Sequence, residues 1–425
     1  MDKQSFNRSA QTMVHSVEHY LYVFGKWVTI SVLVGALGGF IGSCFYMAIQ
    51  TATGIRTAHP ELIFALPFAG LIIMFLYRAF RLKNDPGTNI VIQSIIEENQ
   101  DVPIRMAFLI FISTVITHLF GGSVGRESAA LQIGGCFGNA IGQAMDLDEQ
   151  DMKLVTMCGM SALFSAVFGT PIAATVFVIE FISIGIMHYS ALVPCLTASY
   201  VAYFVAGIMG VTPEAYTIVE TVSFAPISCL RVLGLGVACA VVGILFCFVL
   251  HKTAKLLRKY GYNSYIRILG GGMTIMCLTA LVGNTDYNGS GAQIIEHAIA
   301  GNAVWYAFLL KMVFTAITLG SGYKGGEIVP SFFIGATMGC VVGPLLGLPA
   351  SLSAALGLIG VFCAVVNCPI ASILMSIELF GSENLPFFAA VCAVSYMLSG
   401  PFSLYSSQKI LYSKLEPRYI RQKTL

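Results

Sequence analysis

Glu127 and Glu327 are the residues with the clearest capacity for chemistry, because each is a carboxyl group set in a glycine-rich turn between long apolar segments. The first turn reads Gly121-Gly122-Ser123-Val124-Gly125-Arg126-Glu127-Ser128, and the second reads Gly322-Tyr323-Lys324-Gly325-Gly326-Glu327. Glycines let a backbone turn sharply and approach a bound ion closely. A helix that starts after such a turn points free N–H groups and the positive end of its dipole ahead of it, which suits an anion. Ser128 is expected to cap the helix that follows the first turn. The plain alternative is a solvated surface turn. Against it, an ionisable residue flanked by membrane-length apolar sequence is a functional candidate by default.

The two turns share glycines and the glutamate at a constant offset of 200. A second pair follows them: 164–180 (FSAVFGTPIAATVFVIE) matches 362–378 (FCAVVNCPIASILMSIE) at an offset of 198. Two matched blocks in the same order indicate a duplicated half. Duplicated halves with Gly/Pro-interrupted apolar segments in corresponding places mark a transporter whose site lies at the repeat interface. Non-helical backbone at membrane depth survives only where protein or a water-filled cavity satisfies it, so the breaks at Gly87, Gly125 and Gly326 are expected to converge on one polar site.

The elements that must position these residues are membrane helices. Of 425 residues, 56% are hydrophobic and only 10% are charged, with mean hydropathy +0.80, far from the roughly 25% charged content of soluble domains. The net charge of +2 gives no case for a nucleic-acid partner. Between residues 106 and 230 the only basic residues are Arg126 and Lys153, whereas Arg78, Arg81 and Lys83, then Lys252 to Arg267, and the segment from Lys409 to Lys423 form clusters. The positive-inside tendency assigns those clusters, and both termini, to the cytoplasm. The 12 cysteines are scattered singly with no C-x-x-C pair and read as reduced core thiols, so neither a metal nor a cofactor is indicated. No secretory leader is recognised before the first apolar segment.

Apolar runs predict helices at 14–24, 27–52, 62–77, 90–96, 106–120, 128–144 and 155–168, then one opened by Pro171 and one at 191–210. After a linker at 213–226, further helices are expected at 232–250, 268–282 and 303–319, one opened at Pro330, and others at 352–366, 370–379 and 386–398. The resulting division is an N-terminus with a short first helix (1–26), a first repeat (27–212), a linker (213–227), a second repeat (228–412) and a basic tail (413–425).

Gly125-Arg126-Glu127, the Gly134-Gly135 continuation, the Gly325-Gly326-Glu327-Ile328-Val329-Pro330 block and Tyr405 together resemble the CLC family of anion channels and proton/anion exchangers. The resemblance covers about residues 27–411 and implies an all-α CLC fold, with two inverted repeats of broken, re-entrant helices around a central anion site. It also implies a homodimer in the plasma membrane with one pore per subunit. Carried over by position, Glu127 resembles the gating glutamate, Tyr405 the tyrosine facing the anion, and Ile328 a backbone anion ligand. Arg126 is read as holding the loop through carbonyls, while Gly125, Gly325 and Gly326 shape it. Glu327 in its Gly-Gly-Glu setting resembles the fluoride/proton antiporter subtype, and Glu327 is read as a second proton-coupling group. The Glu180-Phe181 pair lacks the second glutamate of chloride/proton exchangers. The Pro86-Gly87-Thr88-Asn89 loop departs from the family's Gly-Ser-Gly-x-Pro loop, and Thr88 is its best match to the variable anion ligand, with Asn89 next. Ser128-Ala129 and Val329 are further departures.

The implied function is proton-coupled fluoride export, with a chloride channel or chloride/proton exchanger of the same fold as the alternative. Fluoride or chloride, protons and the bilayer are the implied partners. Glu180 and Glu378, at matched repeat positions, are assigned a shared structural role. His118 is expected to be a hydrogen-bonded intramembrane histidine. An enzyme reading would need a nucleophile with a base or a metal set, and it is set aside.

Overall fold

The computed structural model describes residues 3–82, 87–96, 102–261 and 263–425, with side chains described from residue 17 onward. The first half runs through α1 (Lys3–Ala58), α2 (Leu66–Ala79), α3 (Asn89–Ile96) and α4 (Ile104–Leu119). It continues through α5 (Glu127–Ala144), α6 (Glu149–Phe168), α7 (Pro171–Phe181) and α8 (Leu192–Ile208). The second half holds α9 (Pro226–Tyr260), α10 (Ser264–Val282), α11 (Ala292–Ile299) and α12 (Ala307–Ser321). It closes with α13 (Ile328–Leu345), α14 (Ala350–Val366), α15 (Pro369–Phe380) and α16 (Leu385–Leu398). Seven of the described helices are long and apolar enough to cross a membrane. Many apolar side chains on them face outward, among them Phe40, Phe68, Phe75, Phe204 and Phe248, as lipid contact requires.

The sequence expectation of separate helices at 14–24 and 27–52 is corrected, because one helix runs from Lys3 to Ala58 without a break at Gly25. A single glycine inside a helix costs only about 1 kcal/mol, too little to end a run this apolar. The segment 413–425 is likewise more than a tail. Strands β1 (Ser183–Ile184), β2 (Lys409–Tyr412) and β3 (Tyr419–Lys423) form a sheet in that order, β1 parallel to β2 and β2 antiparallel to β3.

The halves repeat one another helix by helix. α5 and α13 are both 18 residues long and both leave a glycine turn. α6 and α14 end in a left-handed residue, Gly169 and Asn367, and a proline then opens α7 and α15 at their first position. Within each half the paired helices touch through glycine. A Cβ on Gly159 would lie 2.9 Å from Gly138 Cα, and one on Gly357 would lie 2.9 Å from Gly339 Cα. Small residues at such crossings let membrane helices approach backbone to backbone.

Across the halves, Glu180 and Glu378 exchange places. Glu378 accepts from the amides of Ile172 (2.9 Å) and Ala173 (2.8 Å) at the start of α7, while Glu180 accepts from those of Ile370 (3.3 Å) and Ala371 (2.9 Å) at the start of α15. Each carboxyl therefore satisfies amides that its partner helix leaves without acceptors. Their shared structural role is present in the geometry. Removing both acceptors with Glu378→Ala or Glu180→Ala is expected to cost about 2–4 kcal/mol of stability. Thermal melts of the purified variants check this, and an unchanged Tm contradicts it.

Candidate functional site

The two glycine turns meet as a two-residue antiparallel bridge. Gly125 N–H donates to Gly326 O and Gly326 N–H donates to Gly125 O, both at 2.7 Å. A Cβ on Gly125 would lie 2.9 Å from Val329 Cβ, and one on Gly326 would lie 2.8 Å from Ser128 Cβ, so neither position admits a side chain. Gly325 takes φ +150°, and its Cβ would strike Val124 at 2.5 Å. The glycines of both motifs are thus required by contact as well as by turn geometry.

The helices leaving this bridge are out of register by one residue relative to the offset of 200. Structurally, Gly125 corresponds to Gly326 and α5 to α13, an offset of 201, so Glu127 matches Ile328 and Arg126 matches Glu327. Glu127 is the first residue of α5, whereas Glu327 precedes α13 as its N-cap. One residue on a helix turns a side chain by about 100°, and the two carboxyls accordingly face different cavities.

Glu127 is buried and lines a cavity of about 430 Å³. Its Oε2 accepts from Arg126 N–H at 3.0 Å, and its Oε1 lies 3.3 Å from Arg126 Nε. Arg126 does not hold the loop through carbonyls, as expected from sequence; it joins two carboxylates. Its Nη2 donates to Glu214 Oε1 at 2.5 Å, and its guanidinium lies 4.5 Å from the centre of the Tyr46 ring. Glu214 comes from the 209–225 connection between the halves and also takes a hydrogen bond from Tyr216 Oη at 3.4 Å.

Glu327 lines a second cavity, of about 390 Å³, together with Thr88, Gln132, Lys255, Arg258 and Lys324. Its carboxyl contacts the hydroxyls of Tyr405 and Ser128. Those hydroxyls are 3.3 Å apart, and Phe181 packs edge-on against Tyr405 at 4.7 Å. Tyr405 is 1% exposed, which excludes a membrane-surface anchor. Ser128 is not the cap of α5; the N-cap is Arg126, and the serine hydroxyl turns instead toward Tyr405.

The end of the chain fixes Tyr405 in place. Its carbonyl accepts from Thr424 Oγ1 at 2.8 Å and its amide donates to Ser403 Oγ at 3.1 Å. Gln408 ties the same turn to Phe181 O (2.7 Å) and Val366 O (3.2 Å). Thr88 is buried in the 390 Å³ cavity, accepts from Gln132 Nε2 at 3.0 Å and lies 3.5 Å from Ser128 O. Asn89 lines that cavity too, but its Oδ1 accepts from Ser407 N–H at 2.9 Å and so ties α3 to the Tyr405 turn. Ile328 is buried at the start of α13, where the first amides have no helical acceptor. Pro86 lies outside the described residues, while Gly87 lines the same cavity as Thr88.

Two residues of the site escape sequence reasoning. Gln132 stands one turn after Ser128 on α5, a spacing that places both on one face, and this is the signal that could have found it. Glu214 lies in a polar connection 88 residues from Arg126, where an acid reads as solvated. Neither ring nitrogen of His118 makes a well-formed hydrogen bond among the described residues, and the Gly125 backbone is its polar neighbour, so the bonded histidine expected from sequence is met only loosely. Gly121-Gly122-Ser123-Val124-Gly125 fits the letters of the G-x-S-x-G nucleophile pattern, which calls for a strand-to-helix turn and a neighbouring base. Here Ser123 follows a helix, and its Oγ lies 3.1 Å from Thr315 Oγ1, so the fit is one of letters alone.

Inverted helical repeats whose broken ends meet, with a carboxyl group at each of two separate cavities, form a transmembrane ion pathway. The family model for voltage gated chloride channels matches residues 69–400, and the chain belongs to that family. It is 36% identical over 395 residues to a chloride/fluoride channel protein of Pseudomonas syringae pv. tomato, covering 92% of this chain and 87% of that protein. It is 25% identical to the H(+)/Cl(−) exchange transporter ClcA of Yersinia pestis bv. Antiqua, over 92% of this chain and 87% of the relative. Among solved structures, that of a CLC-type fluoride/proton antiporter matches with a TM-score of 0.87 and 33% identity, covering 90% of this chain and 98% of that one.

Arg126 divides its charge between Glu127 and Glu214, so neutralising Glu214 leaves the guanidinium to Glu127 alone and tightens that ion pair. The expected result for Glu214→Gln is anion flux reduced at neutral pH and recovered at more acidic pH. A pH series of liposome fluxes reads this, and a profile superposable on the wild type contradicts it.

Proposed function

We propose that this protein exports fluoride in exchange for protons across the plasma membrane, as a homodimer with both termini in the cytoplasm. The single observation that carries the reading is the placement of Glu127 and Glu327 at two separate cavities, Glu127 being next in the chain to Ser128, whose hydroxyl lies 3.3 Å from that of Tyr405. Ionised Glu127, held by Arg126, stands across the approach from its own cavity. Protonation cancels that attraction and lets the carboxyl leave, so an anion and a proton occupy the pathway by turns. On the other side, Glu327 is the second carboxyl through which a proton passes, in contact with the Tyr405 hydroxyl that faces the anion.

Several features support fluoride as the ion. Fluoride is a small, strong hydrogen-bond acceptor, and the Ser128–Tyr405 and Thr88–Gln132 pairs bring O–H and N–H donors together beside Glu327 and its cavity. The fluoride/proton antiporter of the matching structure and the chloride/fluoride channel relative point the same way. Phe181 occupies the place of the second glutamate of chloride/proton exchangers and stacks on Phe177 at 4.9 Å, which argues against that exchanger type alone, since chloride channels lack this glutamate too. The basic residues Lys255, Arg258 and Lys324 at the Glu327 cavity support a cytoplasmic position for it. A chloride channel or chloride/proton exchanger is the second reading, favoured by the departures at Ser128, Ala129 and Val329 and by the exchange transporter among the relatives.

Liposomes loaded with fluoride or chloride test this. Fluoride efflux is expected to outpace chloride efflux and to drive proton entry, and Glu127→Gln is expected to abolish the proton movement. Proton-coupled fluoride transport that is unchanged in Glu127→Gln overturns the mechanism, and equal rates for the two halides overturn the ion assignment.

A further inference from the structure

The cavity that reaches Glu127 carries a second cationic group that the exchange described above does not use. Arg56, in the last turn of α1, lines this cavity, and its Nε and Nη1 are closed to solvent with no hydrogen-bond acceptor among the described residues. His118, at the end of α4, lines the same cavity at 1% exposure, with no well-formed hydrogen bond on either ring nitrogen and the Gly125 backbone as its polar neighbour. A guanidinium out of water is costly unless an acceptor or a counter-charge is supplied.

The neighbouring groups do not supply one. Lys311 donates to Tyr287 O (3.2 Å) and Gly289 O (2.7 Å) and lies 5.0 Å from the centre of the Phe333 ring. Asn288 Nδ2 donates to Gly121 O at 2.8 Å. Glu214 and Glu127 pair with Arg126, and the remaining carboxylates of the lining, Asp286 and Glu296, are exposed. Gly289, at φ +59°, lies against the guanidinium, where a Cβ would approach Nη1 and Nη2 to 2.8 Å. The loop therefore seats Arg56 in the cavity wall with a bare backbone beneath it and two donors left without acceptors.

We infer that Arg56 and His118 form a separate binding site for a small monovalent anion of the halide class, between the solution and the Glu127 barrier. The guanidinium contributes charge and N–H donors, and the imidazole contributes one more N–H. Resting on the exchange proposed above, the site concentrates the transported anion on this side of the barrier without taking part in proton coupling.

The test compares vesicles of both orientations containing wild-type chain, Arg56→Gln, Arg56→Lys or His118→Leu, with fluoride titrated from each face. Loss of a charge-assisted contact predicts that Arg56→Gln raises KM about tenfold from the Arg56 face alone, with the maximal rate within about twofold. Arg56→Lys is expected to recover part of the loss, and His118→Leu to raise the same KM by a smaller factor. KM unchanged on that face, or raised equally on both, overturns the proposal. If Arg56→Gln does not fold, the one-sided KM of His118→Leu decides. If the wild type moves chloride but no fluoride, the fluoride reading fails on its own, and the same comparison with chloride still decides the role of Arg56.

Discussion

Two hydrogen bonds between Gly125 and Gly326 hold the functional part of this molecule together. They join the broken ends of the two repeats and bring the starts of α5 and α13 to one point within the membrane. The unpaired amides of both helices then face the same small region, with dipoles favouring negative charge. Any side chain at either glycine would meet Val329 or Ser128 and push the ends apart. Glu127, Ser128, Glu327 and Ile328 all sit within a turn of this bridge.

Near-symmetry gives stability, and a small break in symmetry gives direction. The exchanged carboxyls Glu180 and Glu378, the glycine crossings of α5 on α6 and of α13 on α14, and the two proline helix starts are all repeated. The acidic residue of the central turn is not. It is the first residue of α5 in one half but the residue before α13 in the other. That single step sends one carboxyl to Arg126 and the 430 Å³ cavity and the other to Tyr405 and the 390 Å³ cavity. A pathway with unlike ends can couple two ions, whereas two equivalent ends would present the same group to both sides.

Much of this arrangement was legible in the chain itself. Long apolar runs are set by the bilayer's thickness, so most helices were found, and the matched 164–180 and 362–378 blocks located the exchanged glutamates. Motif matching by letters lost one residue of register, because Gly325 and Gly326 are both glycine and only the bridge shows which one pairs with Gly125. Ser128 looked like a cap because capping is local, but its hydroxyl is claimed by Tyr405, 277 residues away. Glu214 and the order of the C-terminal strand were hidden for the same reason. Their partners, Arg126 and β2, become neighbours only after the fold closes. The position of Tyr405 depends on Thr424 and Gln408, which carry no signal of their own.

The central claim is that protons and anions pass through one pathway in which Glu127 admits them alternately. The reversal potential of the purified protein in a planar bilayer, measured under opposed fluoride and pH gradients, tests it most directly. Alternation predicts a reversal potential that moves with the pH gradient as well as with the fluoride gradient, in a fixed ratio. A potential that follows the anion gradient alone, whatever the pH on either side, contradicts it.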